Sequence, residues 1–204
     1  MENEKFSKKK ASALVLAAGY SHRMGKPKLS LLFNENTTFL EHLVNQFKDF
    51  GCIDVVAVLN QEGIDLVNKE LKYLNNSILM VKNDFPELGR FFSIKTGLKA
   101  CNSNYPVFIQ NIDNPFAEPK ILQKLLLKLN NSEYSYPAFN GKGGHPVVIS
   151  PKVIQSILAE PTNELNLKLF LRKFRKSTLE VNDEKVFTNI NTQKDFDNFK
   201  IHLP

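Results

Sequence analysis

The stretch Ser12-Ala13-Leu14-Val15-Leu16-Ala17-Ala18-Gly19-Tyr20-Ser21-His22-Arg23-Met24-Gly25-Lys26-Pro27-Lys28 governs the reading of the rest of the chain. Ser12 to Ala17 is a short, continuous apolar run closed by Gly19, the pattern of a strand buried on both faces. A long loop follows, and its chemistry is cationic. Gly19 and Gly25 let backbone N–H groups approach an anion, Ser21 adds a hydroxyl, and Arg23, Lys26 and Lys28 bring positive charge with almost no acid nearby. At the end of a first buried strand this composition reads as a polyphosphate cradle; the plainer alternative is a basic solvent loop. It is not a Walker A loop, which needs four residues between its glycines and Ser or Thr after Lys. Here five intervene and Pro27 follows Lys26. The dinucleotide fingerprint G-x-G-x-x-G is absent too.

Outward from this loop, Thr38 and Glu41 have capping-box spacing, and Phe39, Leu40, Leu43, Val44, Phe47 and Phe50 recur at helical spacing until Gly51. Ile53 to Leu59 predicts a second buried strand, Glu62 to Leu74 a helix, and Ile78 to Val81 a third strand. A helix over Gly89 to Ala100 and a strand at Val107 to Gln110 follow. The next helix begins near Pro119, where a missing N–H does no harm, and buries Ile121, Leu122, Leu125, Leu126 and Leu129. Pro146 to Ile149 reads as a strand, Ser150-Pro151 as the start of a short helix and Leu165 to Phe174 as a longer one. A strand at Thr178 to Val181 and a helix at Thr192 to Lys200 end the chain. Strands alternating with helices predict an α/β, three-layer, Rossmann-like fold with a mostly parallel sheet. Without internal repeats or a linker, residues 11–204 form one expected domain. Residues 1–10, with Lys5, Lys8, Lys9 and Lys10, read as a flexible basic tail.

Composition narrows the class. At 204 residues, 42% hydrophobic and 24% charged, the chain can bury a core unaided, which excludes collagen-like, low-complexity and wholly disordered readings. Cys52 and Cys101 are the only cysteines, too few for a disulfide scaffold or a four-cysteine zinc site. No run of about 18 apolar residues and no signal-like segment occurs, so a cytoplasmic protein without membrane contact is expected. The net charge of +6 suggests anionic partners. Nucleic acid is not expected among them: the 16 phenylalanines read as core, and with no Trp and 5 Tyr there is no aromatic and basic pattern for stacking single strands. Lys168, Arg172, Lys173, Arg175 and Lys176 read as the solvated face of a helix, with attraction of an anionic substrate as the alternative.

In open α/β sheets ligands bind beyond the carboxyl ends of the strands. After the fourth strand, Gln110-Asn111-Ile112-Asp113-Asn114-Pro115-Phe116 sets one carboxylate where a magnesium ion bridging phosphates could be held. Asp and Asn before Pro also cap turns, so Asp113 has two readings on residues alone. In Asn189-Ile190-Asn191-Thr192-Gln193-Lys194-Asp195, Thr192 and Asp195 have capping-box spacing, and helix initiation accounts for much of the motif.

Leu16 to Lys28 resembles the L-A-[AG]-G-x-S-x-R-M-G-x-x-K signature of the MobA-like nucleotidyltransferases, which include molybdopterin cytidylyl- and guanylyltransferases. The resemblance implies a fold of the nucleotide-diphospho-sugar transferase type. It also implies a nucleotide site at Leu16, Ala17, Ala18, Gly19, Ser21, Arg23, Gly25 and Lys28, with Arg23 and Lys28 acting catalytically on the triphosphate. Gly89 to Leu98 is similar to the family's G-x-x-x-S-[LI]-x-x-G-L beside the base, which adds Ser93 and Gly97. Asp113 falls on the family's metal-binding Asp. Asn191 falls on a residue that supplies a second metal oxygen in several relatives. Gly144-His145-Pro146-Val147 matches G-H-P-V and puts His145 in the acceptor pocket, a structural turn histidine being the alternative. Four positions depart from the pattern: Phe91 and Phe92 replace small residues, Ile112 replaces Gly or Cys, and Asn189 weakens an acidic motif.

The reaction so implied is magnesium-dependent transfer of a nucleoside monophosphate to a phosphorylated small-molecule acceptor, with release of pyrophosphate and no covalent enzyme intermediate. Ala18 makes the motif L-A-A-G, which accompanies cytidylyltransferases more often than guanylyltransferases, so CTP is expected ahead of GTP and molybdopterin is the candidate acceptor. A sugar- or alcohol-phosphate nucleotidyltransferase of the same fold is the alternative, favoured by Phe91 and Phe92. A non-catalytic nucleotide- or nucleic-acid-binding protein is the rival of a different class, favoured by the charge. The sequence leaves the oligomeric state open and is compatible with a monomer.

Overall fold

The computed structural model describes residues 10–201, so the predicted tail lies, Lys10 excepted, outside the described residues. Strand β1 (Ser12–Ala17) lies between β2 (Val55–Leu59) and β4 (Val107–Asn111) and is parallel to both, with Val15 opposite Ala57 on one side and Gln110 on the other. Its side chains alternate between two cores: Ala13, Val15 and Ala17 point into one, Leu14 and Leu16 into the other. That division is why the strand is apolar from Ala13 to Ala17. β3 (Leu79–Lys82) adds a parallel strand beyond β2.

On the other side of β4 the sheet changes direction. β5 (Tyr134–Phe139) and β6 (Lys142–Gly143) form a hairpin, β7 (Val147–Ile149) runs antiparallel between β4 and β5, and β8 (Lys176–Glu180) pairs parallel with β5. The order is β3-β2-β1-β4-β7-β5-β6, with β8 on β5. One face is covered by α1 (Phe39–Phe50), α2 (Gln61–Glu70), α4 (Pro119–Lys128) and α7 (Gln193–Ile201). The other is covered by α3 (Gly89–Leu98), α5 (Pro151–Ala159) and the single turn α6 (Leu167–Phe170). The three-layer, mostly parallel α/β fold is therefore present.

Local sequence accounts for much of this. The Thr38 and Glu41 capping box forms, with the Glu41 amide donating to Thr38 Oγ1 at 3.3 Å and the Thr38 amide donating to Glu41 Oε2 at 2.6 Å. Phe39 packs against Phe196 and Phe199 with ring centroids 6.0 and 5.4 Å apart, which joins the first helix to the last. Cys52 and Cys101 are free, and burial pushes both thiols up to about 12, so they remain protonated and inert. No helix of the described residues is long and apolar enough to cross a membrane.

Three expectations need correction. The β5–β6 hairpin was not expected, because Pro137 interrupts β5 and removes one ladder donor. The helix expected over residues 165–174 is only α6 followed by a 3-10 turn at Leu171–Lys173. Pairing of Lys176 through Glu180 with Tyr134 through Ala138 draws the chain into a strand sooner than its helical pattern suggests. Arg175 and Lys176 consequently do not belong to a helix face. The second helix ends at Glu70, and Lys72–Asn76 forms a 3-10 turn.

Gly97 explains how closely α3 approaches the sheet. A Cβ there would stand 2.3 Å from Leu14 Cδ1 and 2.6 Å from Val58 Cγ2, both on strands with buried, close-packed side chains. Gly97→Ala is therefore expected to destabilise the protein by about 1–3 kcal/mol, the usual cost of an overpacked core. A urea unfolding midpoint no lower than that of the wild type would contradict this packing.

Candidate active site

A cavity of about 450 Å³ opens at the carboxyl ends of β1 and β4, beside the start of α3. The loop after β1 supplies Leu16, Ala18, Gly19, Ser21, His22, Arg23 and Lys28 to its wall. Ser21 adopts a left-handed backbone, φ 55°, and its Oγ accepts from the Lys28 amide at 3.3 Å, so the loop closes on itself. Gly25, φ 67°, ends the short turn His22–Met24, and the buried Met24 holds that turn against the core. Pro86, Gly89, Arg90 and Ser93 form the α3 side of the cavity; Asn111, Ile112, Asp113 and Asn191 form the rest.

Lys28 joins the groups at the cavity floor. Its Nζ donates to Asn191 Oδ1 at 2.7 Å and lies 3.8 Å from Asp113 Oδ2. Burial lowers the pKa of this ammonium, Asp113 opposes that shift and Arg23 adds to it. Asn191 is aimed by its surroundings. Asp195 Oδ2 accepts from the amides of Asn191 and Thr192 at 3.0 and 2.8 Å, and the Asp195 amide donates to Thr192 Oγ1 at 3.2 Å, the expected capping box. The Ile190 amide donates to the Asp113 carbonyl at 2.7 Å, and Asn114 Nδ2 donates to the carbonyls of Lys185 and Thr188 at 2.9 and 2.7 Å. The segment before α7 is thus fastened to the loop after β4.

Asp113 Oδ1 is buried without a hydrogen-bond partner. A desolvated, unpaired carboxylate oxygen is costly unless a cation completes it. One carboxylate and one amide oxygen suit a hard divalent cation that keeps several waters and takes further oxygens from phosphate. The described residues hold no group of three His, Cys, Asp or Glu that could bind a metal unaided. Asp113 and Asn191 therefore fit magnesium carried in with a polyphosphate.

The other expected site residues divide. Leu16, Ala18, Gly19, Ser21, Arg23, Lys28, Ser93, Asp113 and Asn191 share the cavity. Ala17 faces the opposite core, Gly25 lies outside the cavity, and Gly97 serves helix-to-sheet packing. Ser93 Oγ donates to the Gly89 carbonyl at 3.2 Å and accepts from Asn83 Nδ2 at 2.9 Å, which makes it a brace of the wall more than a free donor. Phe91 is buried against Phe170, centroids 5.3 Å apart, and Phe92 packs on Phe85 at 6.2 Å. Neither ring lines the cavity, so these two departures are matters of packing. Ile112 does line it, and Asn189 is exposed outside it.

His145 lies in a second cavity of about 840 Å³. Its Nε2 is 2.9 Å from Asn111 Nδ2, which belongs to the first cavity. Burial lowers its pKa to about 4, helped by Arg90, so the imidazole is neutral at pH 7. Tyr134 and Tyr136, stacked at 6.0 Å and 21°, form one wall, with Leu165, Leu167, Leu171 and Phe174 on others. Lys168, Arg172 and Lys176 also line it, and no carboxylate does. Three residues of the basic stretch thus surround a cavity, whereas Lys173 lies over the Phe170 ring at 3.7 Å. Sequence reasoning did not single out Asn83, Arg90, Asn111, Tyr134 or Tyr136 for a site. Arg90 stood inside a motif already quoted, but nothing local distinguishes it from a solvated arginine.

The model of the MobA-like NTP transferase domain matches residues 13–179. The molybdenum cofactor cytidylyltransferase of Escherichia coli (strain K12) is 27% identical over 184 residues, which cover 90% of this chain and 92% of the relative. The probable molybdenum cofactor guanylyltransferase of Methanosarcina mazei is also 27% identical, over 94% of this chain and 90% of its own. Among solved structures, 4-diphosphocytidyl-2C-methyl-D-erythritol synthase from Anaerococcus prevotii superposes with a TM-score of 0.72 at 16% identity, covering 96% of each chain. With the matched region running from β1 into β8 and containing the cationic loop, Asp113 and every wall residue of both cavities except Asn191, the chain belongs to the MobA-like NTP transferase family.

Proposed function

We propose that this nucleotidyltransferase moves a nucleoside monophosphate, CMP in preference to GMP, from a magnesium-bound triphosphate in the first cavity to a phosphorylated acceptor in the second. The observation that carries the reading is the contact of Lys28 with both Asp113 and Asn191, which assembles a phosphate-binding cation and two hard oxygen donors from three separate parts of the chain. A basic loop serving only as a solvated surface would not be fastened to a carboxylate whose other oxygen is buried without a hydrogen-bond partner. Molybdopterin is the favoured acceptor: the second cavity is large, with paired tyrosine rings and cations but no acid. The chemistry calls for no secretion or membrane, and we assign it to the cytoplasm.

The loop's backbone amides, with Arg23 and Lys28, would bind and orient the triphosphate for in-line attack by an acceptor phosphate oxygen. That oxygen is already anionic at neutral pH, so no general base is needed. Lys28, released from Asn191 to the phosphates, would offset charge as pyrophosphate departs. Magnesium, when held by Asp113 and Asn191, would neutralise further phosphate charge and help fix the geometry of the triphosphate. His145, neutral and bonded to Asn111, would act in acceptor placement and not in proton transfer.

Lys28→Ala is expected to fold normally and lose at least about 10²-fold in pyrophosphate release, the scale set by removing one electrostatic stabiliser. The assay pairs each common triphosphate with molybdopterin and with 2-C-methylerythritol 4-phosphate; wild-type-like release by the folded variant would overturn the assignment. Asp113→Ala is expected to lose magnesium-dependent activity more severely than Asn191→Ala, because only the carboxylate carries a formal charge. A magnesium titration of both variants checks the ranking, and equal losses would contradict it. The base preference rests on Ala18, whose β-carbon narrows the cavity wall where a glycine would leave room for a purine. In calorimetry with magnesium, CTP is expected to bind about tenfold tighter than GTP, with Ala18→Gly narrowing the gap. Tighter binding of GTP would reverse the choice of base.

A further inference from the structure

Arg90 is the one described residue that lines both cavities. It stands in the first turn of α3, exposed, directly after Gly89, whose backbone at φ 83° turns the chain into the helix. No hydrogen bond or ion pair engages its guanidinium among the described residues, so all five donors are free. Its field reaches Lys28 in the first cavity and His145 in the second. In the proposed function, the two cavities it faces would hold two anions together. An attacking phosphate and a triphosphate repel each other on approach, and in a cavity with reduced solvent that repulsion is stronger than in water.

We propose that Arg90 is a further catalytic residue, a clamp that holds the α-phosphate of the nucleotide and the attacking phosphate of the acceptor on one guanidinium. The inference rests on the assignment of the two cavities to nucleotide and acceptor. A planar fork can donate two parallel bonds to one phosphate and still face a second, which a lysine ammonium cannot do with the same geometry. In the transfer step a bond forms between an anionic acceptor oxygen and the α-phosphorus. The bond to the bridging oxygen breaks, and its electron pair leaves on pyrophosphate. Arg90 neither gives nor takes a proton. It screens the two negative groups as they close, an interaction strongest when they are nearest, in the transition state. Lys168, Arg172 and Lys176 line only the second cavity and cannot perform this bridging.

The test uses Arg90→Met and Arg90→Lys in the full chain. Because Arg90 is exposed, both variants are expected to keep the wild-type melting midpoint. Magnesium with α,β-methylene-CTP is titrated by calorimetry, and inorganic phosphate is then titrated into the nucleotide-loaded protein by ³¹P NMR. Arg90→Met is expected to weaken phosphate binding by about tenfold or more while weakening nucleotide binding less. Its kcat with the acceptor used by the wild type should fall about 10²-fold, the scale of one lost transition-state donor. Arg90→Lys should recover phosphate binding better than it recovers kcat, since it restores charge without the fork. Phosphate affinity and kcat both within about threefold of wild type would overturn the proposal, as would a loss confined to nucleotide binding. If the wild type turns over no acceptor, the transferase reading fails by itself, and the phosphate titration still decides whether Arg90 bridges the cavities.

Discussion

Everything in this molecule follows from the position of β1 between two parallel neighbours. Its backbone is hydrogen-bonded on both edges and its side chains are buried on both faces, so it can exist only with a helical layer on either side. Parallel pairing has a second consequence. The carboxyl ends of β1 and β4 finish side by side, with Leu16 opposite Asn111 and the Ile112 amide donating to the Leu16 carbonyl at 3.1 Å. A loop leaving β1 and a loop leaving β4 must then share one space. The cationic segment and Asp113 are neighbours because the sheet leaves them no alternative.

The site is held by polar contacts whose partners come from distant parts of the chain. Asn114, buried beneath the β4 loop, accepts from Gln110 and donates to two carbonyls of the segment before α7. Asp195 organises the amides that present Asn191. Each of these groups would be costly if left unpaired, which gives the arrangement its definition. Lys28 is poised differently. Burial works against its charge while Asp113 supports it, so the ammonium is held between an anion and an amide oxygen. In the proposed function, phosphate would offer it a stronger partner than the amide does.

The antiparallel half of the sheet gives the protein its second cavity. β5 presents Tyr134 and Tyr136 on one face, and Gly143 on β6 is small enough for the Tyr136 ring to lie against it; a Cβ there would come within 2.8 Å of that ring. α6 and the turn after it bring Lys168, Arg172 and apolar side chains to the opposite wall. Lys95 anchors the approach to α6 by donating to the Glu160 carbonyl and Asn163 Oδ1 at 2.6 and 2.8 Å. The same helix therefore supplies one wall of the first cavity and steadies one wall of the second.

Sequence by itself determined the elements whose burial is decided locally. An unbroken apolar run such as Leu14 to Ala17 has only one stable environment, and capping boxes at Thr38 and Thr192 close within four residues, so both could be read without a partner in view. The cationic loop was legible for a related reason: its charges and glycines are contiguous, and their chemistry does not depend on what lies opposite. Tertiary structure alone decided the remainder. β5 carries a proline and β8 begins at Lys176, two residues ahead of the strand its own residues suggest, and only their mutual hydrogen bonding outweighs local preference. Gly97, which the family resemblance assigns to the nucleotide site, packs α3 against the sheet, and the Phe91 ring packs on Phe170, because which face of α3 meets the sheet is not written in its spacing. Arg90 shows the converse: an exposed arginine has no local mark of function, and its significance arises only where two cavities built from distant strands meet at its side chain.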